Sequence, residues 1–267
     1  VSGPTPSHVR LRVRDGQRAR AFWEGVLGLP VHEEDGELRL TTPGRRDPLV
    51  ILEVDPGAAP AAPRTSGLFH VALRVPGRPQ LGAFYRRLRR LGHPLLGAAD
   101  HGVSEALYLQ DGEGNGVEVY ADRPPETWQW RDGSIRMVTE PLDGVGLVEA
   151  ADVEGPLPEG TVVGHVHIRT ADLPAAGAFW TDEVGLGVTT REWPGALFLA
   201  SDGYHHHLGV NTWGGPLTRA DPGAAGLVET VWRAPGRDQA AVLEDPDGHR
   251  VLLLPPLPHE TLPTPAP

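Results

Sequence analysis

The feature that most restricts this chain is that it repeats itself. Ser7-His8-Val9-Arg10-Leu11-Arg12 returns as Gly164-His165-Val166-His167-Ile168-Arg169, Ala21-Phe22-Trp23 as Ala178-Phe179-Trp180, and Gly28-Leu29 as Gly185-Leu186. One offset of 157 residues, the distance from His8 to His165, relates all three pairs. A match that holds its register across separated segments marks a duplicated structural unit. A weaker echo relates Gly67-Leu68-Phe69-His70-Val71-Ala72-Leu73-Arg74 to Gly226-Leu227-Val228-Glu229-Thr230-Val231-Trp232-Arg233. Four modules therefore begin near residues 7, 67, 164 and 226, and in the first three an aromatic (Phe22, Phe84, Phe179) follows the leading histidine by fourteen residues.

Each full module reads as strand, helix, then further strands. His8–Val13 alternates with period two, as a half-buried strand does. Ala19, Phe22, Trp23 and Val26 fall at helical spacing and stop at Gly28; Leu81, Phe84, Tyr85, Leu88 and Leu91 repeat this up to Gly92, glycine being favoured just past a helix end. Short strands are expected at 38–41, 49–54, 106–110 and 116–120. The fourth module passes from Gly236 to its last strands with no room for a helix. The expected fold is α+β, four tandem βαβββ modules with the fourth truncated. The expected organisation is a first two-module domain at 1–123, a linker rich in proline, glycine and acid at 124–160 pinned by Trp128 and Trp130, a second domain at 161–257, and a proline-rich tail at 258–267.

Composition narrows the chemistry. At 267 residues with a formal charge of −11, the chain lacks the basic surface that holds nucleic acid, and a small-molecule ligand fits better. There is no cysteine, so a metal must be bound by His and carboxylate. There is no lysine either, which removes Schiff-base chemistry. The apolar runs are far shorter than a membrane span and Val1–Arg10 has no signal-peptide core, so no membrane partner and a cytoplasmic location are expected.

His8 and His70 hold equivalent places on the leading strands of the first two modules, and Glu118 lies on the last strand of the second. Two histidines and a carboxylate make the facial triad of non-haem Fe(II) oxygenases, and strands from paired modules could bring these three together across a shared cleft. Taken singly, His8 would more often be a surface residue at a strand end, and Glu118, between Val117 and Val119, would face solvent. Their combination favours a ligand set. The run His205-His206-His207 lies in a strand-like segment, which would put His205 and His207 on one face and His206 on the other.

This arrangement resembles the vicinal-oxygen-chelate superfamily of glyoxalases, bleomycin-resistance proteins and extradiol dioxygenases. The segment Asp100–Glu118, with His101, then Leu107-Tyr108, then the Asp111-Gly112 turn and Glu118, is similar to the extradiol signature, although Gly112 replaces its usual proline. Tyr120-Ala121-Asp122-Arg123-Pro124 and Gly203-Tyr204-His205-His206-His207 further resemble two-domain bacterial proteins of the catechol-2,3-dioxygenase type. The resemblance implies His8, His70 and Glu118 as metal ligands, with Fe(II) first and Mn(II) or another divalent metal after it. It implies His101 and Tyr108 as catalytic residues beside a bound catecholate and an aromatic substrate with dioxygen; His205, His206 and His207 are candidate substrate-binding residues. It leaves homo-oligomerisation open. In the second half Glu229 and Leu252 stand where His70 and Glu118 would, so the intact site is expected in the first half and the second domain is read as degenerate. The family's proton-handling histidine would fall in Leu49–Asp55, which contains none. That gap keeps two alternatives open: a non-catalytic binding protein of the bleomycin-resistance kind, and a glyoxalase or epimerase.

Overall fold

The computed structural model describes residues 3–257, so the expected tail at 258–267 lies outside the described residues. Module one comprises β1 (Thr5–Val13), α1 (Gly16–Arg20) running into a π-helical turn at Ala21–Val26, β2 (Val31–Glu34), β3 (Glu37–Thr41) and β4 (Pro48–Val54). Module two comprises β5 (Gly67–Arg74), α2 (Arg78–Leu91), β6 (Gly97–Asp100), β7 (Ser104–Gln110) and β8 (Gly116–Asp122). The intervening stretch carries β9 (Trp130–Arg131), β10 (Ser134–Ile135), β11 (Glu140–Pro141) and α3 (Gly144–Glu149). Module three has β12 (Val162–Arg169), α4 (Leu173–Ala178) running into a π-helical turn at Phe179–Val184, β13 (Gly187–Thr190), β14 (Ala196–Ala200) and β15 (Leu208–Asn211). Module four has only β16 (Gly226–Arg233), β17 (Ala241–Glu244) and β18 (Arg250–Leu254).

The repeat is physical as well as textual. Asp15 caps α1 by accepting hydrogen bonds from the Gln17 and Arg18 amides, and Asp172, at the repeat position, caps α4 by accepting from Ala175. Gly28 and Gly185 end the two helical segments with φ of +77° and +93°, a region closed to most side chains. The π-helical turns put Trp23 and Trp180 fully inside, and Trp180 packs against Trp232 at 5.2 Å between ring centroids.

The strands form two large sheets, ordered β17-β18-β16-β1-β4-β3-β2 and β11-β6-β7-β8-β5-β12-β15-β14-β13. Module one therefore pairs with module four through β1 and β16, and module two with module three through β5 and β12, both antiparallel. Each sheet takes one module from 1–123 and one from 161–257, so strands group across the expected division. Of the linker's two tryptophans, Trp128 is tied in, donating from Nε1 to the Arg123 carbonyl at 3.0 Å and packing on His205, while Trp130 is exposed.

This pairing corrects the expected partnership of His8 with His70. β1 buries Val9, Leu11 and Val13 and turns His8, Arg10 and Arg12 to its opposite face, as period-two alternation requires. That face is filled with ions: Arg10 pairs with Glu37 and Glu53, Arg12 with Glu53, and Glu229 with Arg250 at 3.1 Å. Burial, reinforced by Arg10, Arg233 and Arg39, lowers the His8 pKa to about 4. A histidine ringed by three guanidinium groups is a poor seat for a cation. In the sheet of modules one and four, the face that carries His8 is occupied by ion pairs.

Candidate metal centre

The antiparallel seam between β5 and β12 sets His70 on one strand opposite His167 on the other. β8 lies parallel to β5 on its far side and brings Glu118 beside Ala72. The approach is close enough that a Cβ on Gly116 would stand 2.1 Å from the Phe69 carbonyl oxygen, so only glycine fits there. The turn leading into β8 is built by Asp111, which accepts from the amides of Glu113 and Asn115, both at 2.9 Å, and from the Asn115 side chain.

Three donors converge here. Glu118 Oε2 lies 3.1 Å from His70 Nε2 and 3.2 Å from His165 Nε2, and the two imidazole nitrogens are 3.3 Å apart. All three residues are buried. Adjacent donors around one ion stand roughly 1.4 to 1.6 bond lengths apart, so this triangle fits a single cation with bonds of about 2.0–2.2 Å. Two imidazoles and one carboxylate on one face are also the donor set of an ion that keeps other positions open. His165 therefore occupies the corner expected for His8. Its equivalence to His8 and His70 was visible in the repeat, but its partners were not.

The charges suit a cation. Burial alone would raise the Glu118 pKa, but His165 and His70 override it and hold the carboxyl well below its usual range. Burial lowers His165 to about 4, so its ring is neutral and able to ligate at neutral pH. His167 and His206, buried among the other imidazoles, are also pushed well down.

Around the triad opens a cavity of about 500 Å³ whose walls include Phe69, Phe198, Trp193, Trp213 and Met137. His101 and Tyr108 line it as the signature implied. His101 Nδ1 donates to the Val138 carbonyl at 2.7 Å, so Nε2 is bare and accepts the Tyr108 hydroxyl at 2.7 Å. Burial, then the charge of Glu118, raises the Tyr108 pKa well above its usual value and keeps the phenol protonated.

The histidine run forms no alternating strand. Residues 204–207 are irregular chain leading into β15, and each ring has its own setting. His206 lines the cavity, its ring 4.1 Å from that of His165. His205 is fully buried, with Nε2 on Asp122 at 2.8 Å and Nδ1 on His206 Nδ1 at 2.8 Å. Asp122 accepts from His205 Nε2, and one of the two facing Nδ1 atoms of His205 and His206 donates to the other. His207 borders a smaller cavity behind β12 and accepts the Ser201 amide at 3.2 Å. Of the three expected contacts, only His206 reaches the main cavity. β4, which contains the histidine-free stretch, belongs to the other sheet and has no part in this centre.

Residues 5–119 match the family model of the Glyoxalase/Bleomycin resistance protein/Dioxygenase superfamily. A Bacillus subtilis (strain 168) protein named catechol-2,3-dioxygenase is 41% identical over 227 residues, covering 82% of this chain and 79% of that one. Among solved structures, a protein of Bacillus subtilis subsp. subtilis str. 168 superposes with a TM-score of 0.62 at 13% identity, over 94% of this chain and 84% of its own. Glyoxalase I from Zea mays does so with a TM-score of 0.57 at 14% identity, over 95% of this chain and 93% of its own. At such identities the structures speak for the fold alone, whereas the sequence relative speaks for descent. The chain belongs to the glyoxalase/bleomycin resistance protein/dioxygenase superfamily.

Proposed function

We propose that this chain is a metal-dependent extradiol dioxygenase, which opens an aromatic vicinal diol with dioxygen at a centre held by His70, Glu118 and His165. The observation that carries this reading is the convergence of two imidazoles and one carboxylate, 3.1–3.3 Å apart, beneath an aromatic-walled cavity. The Bacillus subtilis relative named catechol-2,3-dioxygenase supports it. Fe(II) fits the donor set first and Mn(II) second. When bound, such an ion lowers the pKa of a diol hydroxyl and offers positions for two substrates.

The protein's own groups then have separable tasks. His206, whose ring lines the cavity 4.1 Å from that of His165, is placed to exchange a proton with the diol. Tyr108, its hydroxyl donating to His101, offers lone pairs to a substrate hydroxyl. Phe69, Phe198, Trp193 and Trp213 hold the ring and exclude water. Cleavage of the carbon–carbon bond beside the diol incorporates both oxygen atoms and yields a ring-opened semialdehyde.

The bleomycin-resistance reading drew on the missing acid–base histidine, and His206 offers one. The glyoxalase or epimerase reading asks for more carboxylates, and Glu118 is the one acidic residue among those lining the cavity. The test is oxygen uptake and yellow product from a panel of catechols under air, using protein loaded anaerobically with Fe(II) or Mn(II). Retention of metal with no oxygen uptake from any of them would sink the proposal.

A further inference from the structure

We infer that the cavity is built for an aromatic diol bearing an anionic substituent, a carboxylate above all, with Arg169 as its anchor. The inference deepens the reading above and rests on it for the diol end of the ligand.

β12 carries three polar residues at alternate positions, His165, His167 and Arg169, and all three line the cavity. Two residues of strand advance about 6.6 Å, so the row extends roughly 13 Å along the cavity wall from the metal ligand His165. The middle member is fixed as a donor. The Trp213 amide donates to Asn211 Oδ1 at 3.0 Å, which turns the Asn211 amide so that Nδ2 donates to His167 Nε2 at 2.9 Å. The His167 proton must then sit on Nδ1, which meets no acceptor among the described residues.

Arg169 is the anomaly. A guanidinium is always charged and has five N–H donors. Its Nε is buried with no partner, and its one hydrogen bond is a long 3.3 Å contact from Nη2 to the Leu68 carbonyl. Among the described residues no carboxylate lies within ion-pair distance of it, whereas Arg74, Arg78 and Arg123 are each paired with an acid. Burial depresses its pKa and no neighbouring acid offsets this. In a chain carrying 35 acidic and 24 basic residues, an unpaired cation at the wall of an apolar cavity is an unfilled place for an anion. Phe69 and Trp213, 5.8 Å apart between ring centroids, flank the same stretch of wall and give an aromatic ring or short arm a surface to lie on. The direction of the row sets the shape of the ligand: oxygens at His165, a donor contact midway, and negative charge beyond.

The test is anaerobic equilibrium binding of two acids, 3,4-dihydroxyphenylacetate and 3-(3,4-dihydroxyphenyl)propionate, and their methyl esters, to the metal-loaded protein. A protein with net charge −11 should by default favour the neutral ester, so tighter binding of the acid requires a local cation. The acids are expected to bind roughly 10- to 100-fold tighter than the esters. In Arg169→Met that ratio should fall to one or below, and Arg169→Lys should keep part of it. Equal binding of acid and ester by the wild type, an acid preference that survives in Arg169→Met, or no binding of any of the four overturns the inference. Oxygen uptake with the same compounds is read separately. Uptake without acid preference removes this inference and leaves the dioxygenase reading, whereas acid preference without uptake from these compounds or from the catechol panel keeps Arg169 as an anion anchor and removes the dioxygenase.

Discussion

Mild acid should destabilise this protein through His207, and the size of the effect follows from its surroundings. The ring is buried in the loop before β15, and its Nδ1 accepts the Ser201 amide. Protonating that nitrogen would set one donor against another. Burial first, with help from His205 and Arg74, lowers its pKa from 6.5 to about 3. The unfolded chain binds this proton below about pH 6.5 and the folded chain does not, so stability falls as pH drops through that window. From pH 6.5 to pH 5, at about 1.36 kcal/mol per unit, the loss comes to about 2 kcal/mol. It is a large share of the ~5–15 kcal/mol that holds a domain together. Urea unfolding of metal-free protein at pH 7 and pH 5 measures it. His207→Gln keeps an acceptor for Ser201 but cannot titrate, so its loss between these pH values should be about 2 kcal/mol smaller than that of the wild type. An identical pH dependence in both proteins would refute the reasoning.

The remaining predictions concern the centre. His165→Ala should weaken metal binding by on the order of a hundredfold, as the loss of one of three donors implies, whereas His8→Ala should leave metal content unchanged; metal analysis after dialysis decides between the two. Tyr108→Phe should lower kcat for catechol cleavage by roughly tenfold to a hundredfold with metal content intact, as partners next to a metal site do. Loss of metal in that variant would show that Tyr108 maintains the site and leaves catalysis to other groups. Gly116→Ala should lower both stability and metal retention, because its Cβ would force β8 away from the Phe69 carbonyl, and thermal unfolding should shift by several degrees.

Much of this molecule was written locally. The strand–helix–strand modules follow from period-two and helical spacing, and their ends from Asp15, Asp172, Gly28, Gly92 and Gly185, each acting within a few residues of itself. The turn at Asp111, the tyrosine before it and the glutamate after it were equally legible, and His101, Tyr108, His70 and Glu118 do come together. The short approach to β15 was less so. A run of three histidines beside apolar residues looks like a strand, but His205 turns to Asp122, His206 to the cavity and His207 to Ser201.

What the sequence by itself determined, then, was the set of modules and the residue types that each leading strand offers. Which leading strands share a seam was decided only by tertiary structure. A strand edge is a row of amides and carbonyls that any other edge can satisfy, so nothing local to His8, His70 or His165 says which pair will meet. The side faces decide between the alternatives. Around β1 the arginines Arg10 and Arg12 find Glu53, and Glu229 finds Arg250, which makes that seam an ionic one. At β5 and β12 the inward positions are His70, His165 and His167, and the edge that brings them together sets Glu118, alone among the carboxylates of the described residues that line the cavity, within reach of His70 and His165. The third corner of the triad is therefore His165, placed there by a contact between residues almost a hundred positions apart.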